Sequence, residues 1–196
     1  PEERIYKPEE PIFVGDVDLH FDGDRMLFST NGTVCEVRAD GSGFRKVITE
    51  VPSYDACYLP SGRILFVSNC PGHAVPCVGG ADYVGNIHVC EADGTGIRRL
   101  CFDQDNNWNP VMLANGRVLY TRWEYTDSAH YFARVLMHMN PDGTNQVEFY
   151  GSNSYWPNSL FYARPVPGSA TQFVAIVSGH HGPARMGELV LFDAAR

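Results

Sequence analysis

The sequence predicts an all-β protein, a β-propeller of about three and a half to four four-stranded blades within a larger ring of about six or seven blades. Three observations carry this. A motif of an acidic or Asn residue, a short apolar stretch, Gly, then Arg and a β-rich run recurs along the chain. An Asp-Gly element follows three of its copies. The copies start at positions 16, 55, 109 and 158, which spaces them 39, 54 and 49 residues apart. Four-stranded units at about 40–50 residues are the sequence sign of propeller blades.

The first copy runs from Asp16 to Gly23 and continues through Arg25 to Ser29. The second runs from Asp55 to Gly62, then Arg63 to Ser68; the third from Asn109 to Gly116, then Arg117 to Thr121. A less regular fourth begins near Trp156-Pro157-Asn158-Ser159 and continues to Phe173 through Ser178. Behind the first three copies, apolar runs reach Asp40-Gly41, Asp93-Gly94 and Asp142-Gly143. Asp-Gly between apolar runs signals a hairpin, because its turn needs residues that tolerate positive φ. Phe44 to Ile48, Ile97 to Phe102 and Gln146 to Tyr150 supply the outgoing strands. The fourth unit stops after its third strand, Glu188 to Phe192. The blades therefore span about 14–50, 53–103, 107–150 and 156–196, one partial propeller over residues 1–196 whose two ends read as cut from a longer chain.

Composition agrees and excludes several classes. Fifteen Lys and Arg against 23 Asp and Glu leave a net charge of −8, the opposite of the basic stripe that a nucleic-acid binder needs. No apolar run approaches the ~20 residues that span a bilayer, and the stretch from Pro1 shows no targeting pattern. The 19 Gly and 13 Pro fit many short strands with frequent turns.

In a propeller, the loops leading into strand one and the loops from strand two to strand three open on the same face. The repeat register places the longest and most polar-aromatic segments there, while the other face has short Gly-rich turns. That asymmetry marks a binding or active face. Asp16, Asp55 and Asn109 each precede the Gly by seven residues and read as caps of backbone N–H groups at the blade lip. Trp108, Trp123, Tyr155 and Trp156 suit either ligand stacking or packing between blades. Arg122 and Glu124 alternate on a strand and suit an ion pair. His180 and His181 sit between Gly179 and Gly182; adjacent residues of an extended chain point to opposite sides, so at most one of the two faces a central site, as a ligand or as a hydrogen-bonding group. His130 lies in the loop after Arg122.

Cys70, His73 and Cys77 are zinc-type donors, one fewer than a closed structural site requires, and a Cys70–Cys77 disulfide is the alternative. Cys35, Cys57, Cys90 and Cys101 read as core residues, and His88 and His138 as structural residues of third strands. No Cys-x-x-Cys-His occurs, so covalent c-type haem attachment is not encoded in this stretch. There is no phosphate-cradling Gly loop and no Gly-x-Ser-x-Gly elbow.

From about Tyr54 to Asp193 the chain resembles the alpha subunit of hydrazine synthase and the relatives sharing its middle domain. The phrases that carry the resemblance are Leu100 to Asp105, Gly116 to Asp127, His138 to Thr144, Tyr150 to Asn158, Phe161 to Pro165, Ser178 to Gly182 and Arg185 to Asp193. The preceding blades are similar to TolB-type propeller repeats. The resemblance implies an extracytoplasmic location, periplasmic or in the anammoxosome lumen, within a multi-subunit complex. It implies a haem c oxidoreductase that forms hydrazine from nitric oxide and ammonia. On that reading His180, His181, His130 and Arg122 position a small nitrogen substrate or move protons, and Trp123, Tyr155 and Trp156 line the pocket. The alternative is a non-catalytic propeller that docks a protein or carbohydrate partner through the aromatic face. A metal hydrolase built on His180 and His181 stands third.

Overall fold

The structure is a computed structural model, and it describes residues 3–125, 134–151, 157, 159–179 and 187–195, except the side chain of Cys77. Blade 1 is formed by β1 (Val14–Leu19), β2 (Arg25–Thr30), β3 (Thr33–Arg38) and β4 (Arg45–Lys46). Blade 2 comprises β5 (Tyr54–Tyr58), β6 (Ile64–Ser68), β7 (Asn86–Cys90) and β8 (Arg98–Arg99). Blade 3 comprises β9 (Asn107–Met112), β10 (Val118–Trp123), β11 (Arg134–Met139) and β12 (Val147–Tyr150). The last sheet has three strands, β13 (Leu160–Pro165), β14 (Gln172–Val177) and β15 (Glu188–Asp193). Each sheet is an antiparallel meander in chain order, and β1, β5, β9 and β13 lie side by side as its inner edge. The β-propeller is confirmed.

The blades are held together by apolar layers between sheets. Leu27, Val34, Val47 and Ile48 of blade 1 meet Ala56, Tyr58, Ile64 and Phe66 of blade 2. Cys57, Leu65, Val67, Ile87 and Cys101 meet Val118, Tyr120 and Met139 of blade 3. Leu119 and Leu136 meet Leu160, Phe173 and Ala175 of the last blade. Because blade 2 has neighbours on both faces, every residue of β6 and β7 is buried, with no alternation. The flanking blades leave Val17 and Leu19 of β1 and Leu189 and Leu191 of β15 exposed. Cys35, Cys57, Cys90 and Cys101 are buried free thiols, as their strand positions predict.

The Asp-Gly turns form as read. Gly41, Gly94 and Gly143 have φ of 80°, 87° and 90°. The preceding Asp accepts the backbone N–H two residues on: Asp40 from Ser42 (2.9 Å), Asp93 from Thr95 (3.0 Å) and Asp142 from Thr144 (2.9 Å). A Cβ on Gly94 would collide with the Val47 carbonyl oxygen, so this turn seats directly on blade 1.

Two expectations are corrected. The outgoing strands of blades 1 and 2 are two residues long rather than five or six. After Lys46 and Arg99 the chain leaves the edge and buries Val47-Ile48 and Leu100-Cys101 between blades, the N–H groups of each pair sharing one carbonyl, Val34 or Ile87. Short edge strands also offer little template for pairing with another chain. The fourth repeat copy is in register at Tyr162, not at 158, because the backbone feature that defines the position recurs there.

Candidate functional site

That feature is a bulge on the innermost strand of each blade. Asp16, Asp55, Asn109 and Tyr162 have φ of 53°, 51°, 54° and 52°, and strand pairing shifts register at each. Left-handed backbone suits Asp and Asn and is costly for Tyr. The bulge exposes a backbone N–H that the preceding blade caps. Asp55 Oδ2 accepts the Asn109 backbone N–H and, at 3.0 Å, the Asn109 side-chain amide. Asn109 Oδ1 in turn accepts the Tyr162 N–H at 3.2 Å. Two residues beyond Asp16, Asp18 Oδ2 accepts the Tyr58 N–H at 3.0 Å. The lip-cap reading thus holds for Asp55 and Asn109 as contacts between blades, whereas the corresponding N–H of Asp55 is capped by Ser29 Oγ of blade 1 at 3.0 Å rather than by Asp16.

This inner edge is electrostatically loaded. Burial pushes the Asp55 carboxyl up to about 7, with the Asn109 N–H donors and Arg164 opposing and Asp16 adding to the rise. Burial also raises Asp18, against the Tyr58 N–H, Arg164 and His20. Arg164 is the cation common to both carboxylates.

On the loop-bearing face, the segment before β9 and the end of β10 enclose a cleft of about 240 Å³. Asp103, Asp105, Arg122, Glu124 and Tyr125 line it, with Trp123 at its base. Arg122 lies 3.3 Å from Asp103 Oδ1 through Nη2 and 3.4 Å from Glu124 Oε1 through Nε, so the ion pair read from alternation is present and has a second carboxylate. Asp103 Oδ2 accepts Asn107 Nδ2 at 2.9 Å. Asp105 is 6% exposed; its Oδ2 accepts the Tyr125 N–H at 3.0 Å, and its Oδ1 is buried with no hydrogen-bond partner among the described residues. Burial raises the Asp105 carboxyl, and Asp103 and Glu124 add to the rise while the Tyr125 N–H and Arg122 oppose it. Nothing in the spacing of Asp103 and Asp105 distinguishes them in the sequence; only burial does.

The other expected residues divide as follows. Trp123 is 4% exposed and stacks on Trp108, centroids 6.2 Å apart. Arg134 lies over Trp123 (5.1 Å), Phe161 (5.4 Å) and Trp108 (5.8 Å), so these rings pack the junction between blades. His130, Tyr155, Trp156, His180 and His181 lie outside the described residues, and so does the side chain of Cys77. Cys70 carries a free thiol 3.6 Å from His88 Nε2, so the disulfide alternative is not formed. His73 is exposed in the same loop. Among the described residues, the one set of three metal-type donors that converge is His20, Asp22 and Asp24. Arg25 occupies one side of it, its guanidinium donating to His20 Nε2 at 2.7 Å, while His20 Nδ1 lies 3.4 Å from an Asp22 carboxylate oxygen, 3.6 Å from one of Asp24 and 3.2 Å from the Asp22 backbone nitrogen.

Of the four described histidines, three have a ring nitrogen engaged by the protein and the fourth, His73, is exposed. His20 Nε2 is taken by Arg25, and His138 Nδ1 accepts from Arg117 at 3.1 Å. His88 is buried, donates through Nδ1 to the Asn86 carbonyl and faces Cys70 with Nε2. No helix among the described residues is long and apolar enough to cross a membrane.

No family model matches the chain, and no curated relative matches it. Solved structures do. Hydrazine synthase of Kuenenia stuttgartiensis superposes with a TM-score of 0.75 at 16% identity, over 94% of this chain and 31% of that one. A gluconolactonase of Xanthomonas campestris gives 0.62 at 11% identity, over 93% and 58%. TolB of Acinetobacter baumannii gives 0.55 at 16% identity, over 89% and 44%. The chain thus spans under a third of the hydrazine synthase chain it is similar to, and the likeness establishes the propeller fold.

Proposed function

We propose that this chain is the propeller portion of a hydrazine synthase alpha-like subunit, a scaffold beside a haem that other parts of the same protein attach. The observation that carries the reading is the superposition on hydrazine synthase, 0.75 over 94% of the chain, against 0.62 and 0.55 for the other two propellers. The long phrases from Leu100 to Asp193 that resemble this family support it further.

The described residues assign the propeller a structural part. No Cys-x-x-Cys-His occurs in the chain, so on this reading other parts of the same protein attach the haem. The loop-bearing face is the side from which His130, His180, His181 and Arg122 would reach a small nitrogen substrate. The exposed apolar residues Val17, Leu19, Leu189 and Leu191 on the flanking blades suit further blades or subunits. The subunit would work outside the cytoplasm in a multi-subunit complex.

The test is an absorption spectrum and a covalent-haem stain of the longest natural protein that contains this sequence, produced in a host that matures c-type cytochromes. A Soret band that survives denaturation supports the reading. A colourless, haem-free protein overturns it.

A further inference from the structure

We propose that Cys70 and His88 form a nucleophilic pair, a thiol-modification site at which the Cys70 sulfur attacks a small disulfide while His88 takes its proton. Cys70 Sγ lies 3.6 Å from His88 Nε2, within hydrogen-bond reach for sulfur. Cys70 follows the end of β6 in a turn that the Gly72 N–H closes on the Asn69 carbonyl at 3.1 Å. Its own N–H donates to Ser68 Oγ at 3.2 Å, and the turn brings its sulfur to His88 on the neighbouring β7.

The base is fixed in the tautomer that the reaction needs. A carbonyl only accepts, so His88 Nδ1, 2.8 Å from the Asn86 carbonyl oxygen, carries the ring proton and Nε2 turns its lone pair to the thiol. That carbonyl belongs to an anchored residue. Asn86 is fully buried, its Nδ2 donates to Asn107 Oδ1 at 2.8 Å, and its Oδ1 accepts from Arg99 at 2.7 Å. The His88 ring is 3% exposed and stacks on Phe66, centroids 5.5 Å apart. Burial lowers its pKa; the Asn86 carbonyl opposes, and the Arg99 guanidinium of β8, the charged group that acts on the ring, adds to the fall. The ring is therefore neutral near pH 7 and able to take a proton. Nucleophile, base and the group that orients the base stand in line, the arrangement that activates a thiol.

Access selects Cys70. It is exposed, whereas Cys35, Cys57, Cys90 and Cys101 are buried. Burial pushes the Cys90 and Cys101 thiols up to about 12 and raises those of Cys35 and Cys57 as well, which leaves them inert. The chemistry of the pair selects the electrophile. Acyl transfer needs N–H donors for an oxyanion beside the sulfur, and the Cys70 N–H is spent on Ser68. Exchange with a disulfide needs only a reachable sulfur and a base. In that step Sγ attacks one sulfur of R–S–S–R, the new S–S bond forms as the old one breaks, and the thiol proton passes to His88 Nε2. The leaving thiolate then takes a proton from the imidazolium or from water. The products are a mixed disulfide on Cys70 and one RSH, the Cys70 thiol oxidised and half of the disulfide reduced.

The test exposes the full-length protein to excess bis(2-hydroxyethyl) disulfide with a chelator present and follows the adduct on Cys70 by peptide mass mapping. Cys77→Ser is carried throughout, so that the neighbouring thiol cannot resolve the adduct. Cys70 is expected to react at pH 7 about tenfold or more faster than N-acetylcysteine amide, the scale of assistance by a positioned base. Between pH 8 and 6.5 its rate should change only severalfold, where the free thiol slows about twentyfold. Cys70→Ser should abolish the adduct. His88→Gln accepts the S–H but takes no proton; it should lose about tenfold or more at pH 7 and follow the pH course of the free thiol. An unchanged melting temperature shows that this variant folds, and the comparison of Cys70 with the free thiol decides the question without it. A Cys70 rate no higher than that of the free thiol, an undiminished rate in folded His88→Gln, or equimolar zinc retained by the purified protein and lost in Cys70→Ser would each overturn the assignment.

Discussion

Asp55 and Asn109 stand 54 residues apart in sequence and occupy the same bulge on neighbouring innermost strands, where one carboxylate oxygen caps both the backbone and the side-chain N–H of the other residue. The pair carries the joint between blades 2 and 3, and Asn109 passes it on to Tyr162 in the last blade. Bulge, cap and following bulge form a chain of polar contacts beside the apolar layers between blades.

Asp55 makes stability depend on pH with a defined sign. Its carboxyl is raised by burial from 3.8 to about 7, so the folded state keeps a proton that the unfolded chain releases. Its contribution is fully present below about pH 4 and is lost as pH rises to about 7. At about 1.4 kcal/mol per unit the upper bound is a few kcal/mol. Asp55→Asn cannot ionise and keeps an acceptor for the Asn109 N–H. Urea melts from pH 4 to 8 should show the variant gaining on wild type as pH rises; a constant difference would contradict the assignment.

Asn109→Asp separates hydrogen bonding from charge. It keeps the acceptor for the Tyr162 N–H but sets a second carboxylate against Asp55. The variant should be destabilised by about 2 kcal/mol or more at pH 8, as expected for a buried group left without its partner, and largely restored at pH 5. Equal loss at both values would show that the Nδ2 donor, not charge, dominates.

Gly94 and Gly116 both have positive φ, 87° and 81°, but only Gly94 abuts another blade. Gly116→Ala should cost about 1 kcal/mol from backbone strain alone. Gly94→Ala adds a collision with the Val47 carbonyl and should cost at least twice as much in thermal denaturation. Similar costs would place the turn away from blade 1.

Tyr162 holds a left-handed conformation with 46% of its surface exposed. Tyr162→Gly relieves strain of about 1–2 kcal/mol while losing a half-exposed ring, and Tyr162→Asn retains more of the backbone order. Tyr162→Asn should match or exceed wild-type stability in chemical denaturation. A loss above about 2 kcal/mol would mean that the ring has a packing role that its exposure hides.

Much of the fold was legible because its determinants are local. Asp40-Gly41, Asp93-Gly94 and Asp142-Gly143 encode their own turns, and the runs around Leu65, Ile87 and Leu119 encode strands buried on both faces. The recurrence of Asp16, Asp55 and Asn109 was also visible. Tyr162 broke the pattern, since an aromatic at a left-handed position carries no sequence signal, and the fourth register slipped by four residues as a result. The extent of β4 and β8 was hidden because Val47-Ile48 and Leu100-Cys101 are apolar for the sake of the next blade, not of the strand. Arg122 was found from its alternation with Glu124. Asp105 was not, because its distinction is an oxygen that loses water without gaining a partner.

The central claim is the kinship in activity with hydrazine synthase. The direct measurement is an anaerobic turnover of the purified native complex with ¹⁵N-labelled nitric oxide, unlabelled ammonium and an excess of a one-electron reductant such as reduced benzyl viologen, because joining nitric oxide and ammonia into hydrazine and water takes up three electrons and three protons; the product is read by mass spectrometry. The account predicts singly labelled hydrazine, which joins one nitrogen from each source. A complex that carries haem, stays intact and forms no labelled hydrazine would contradict it.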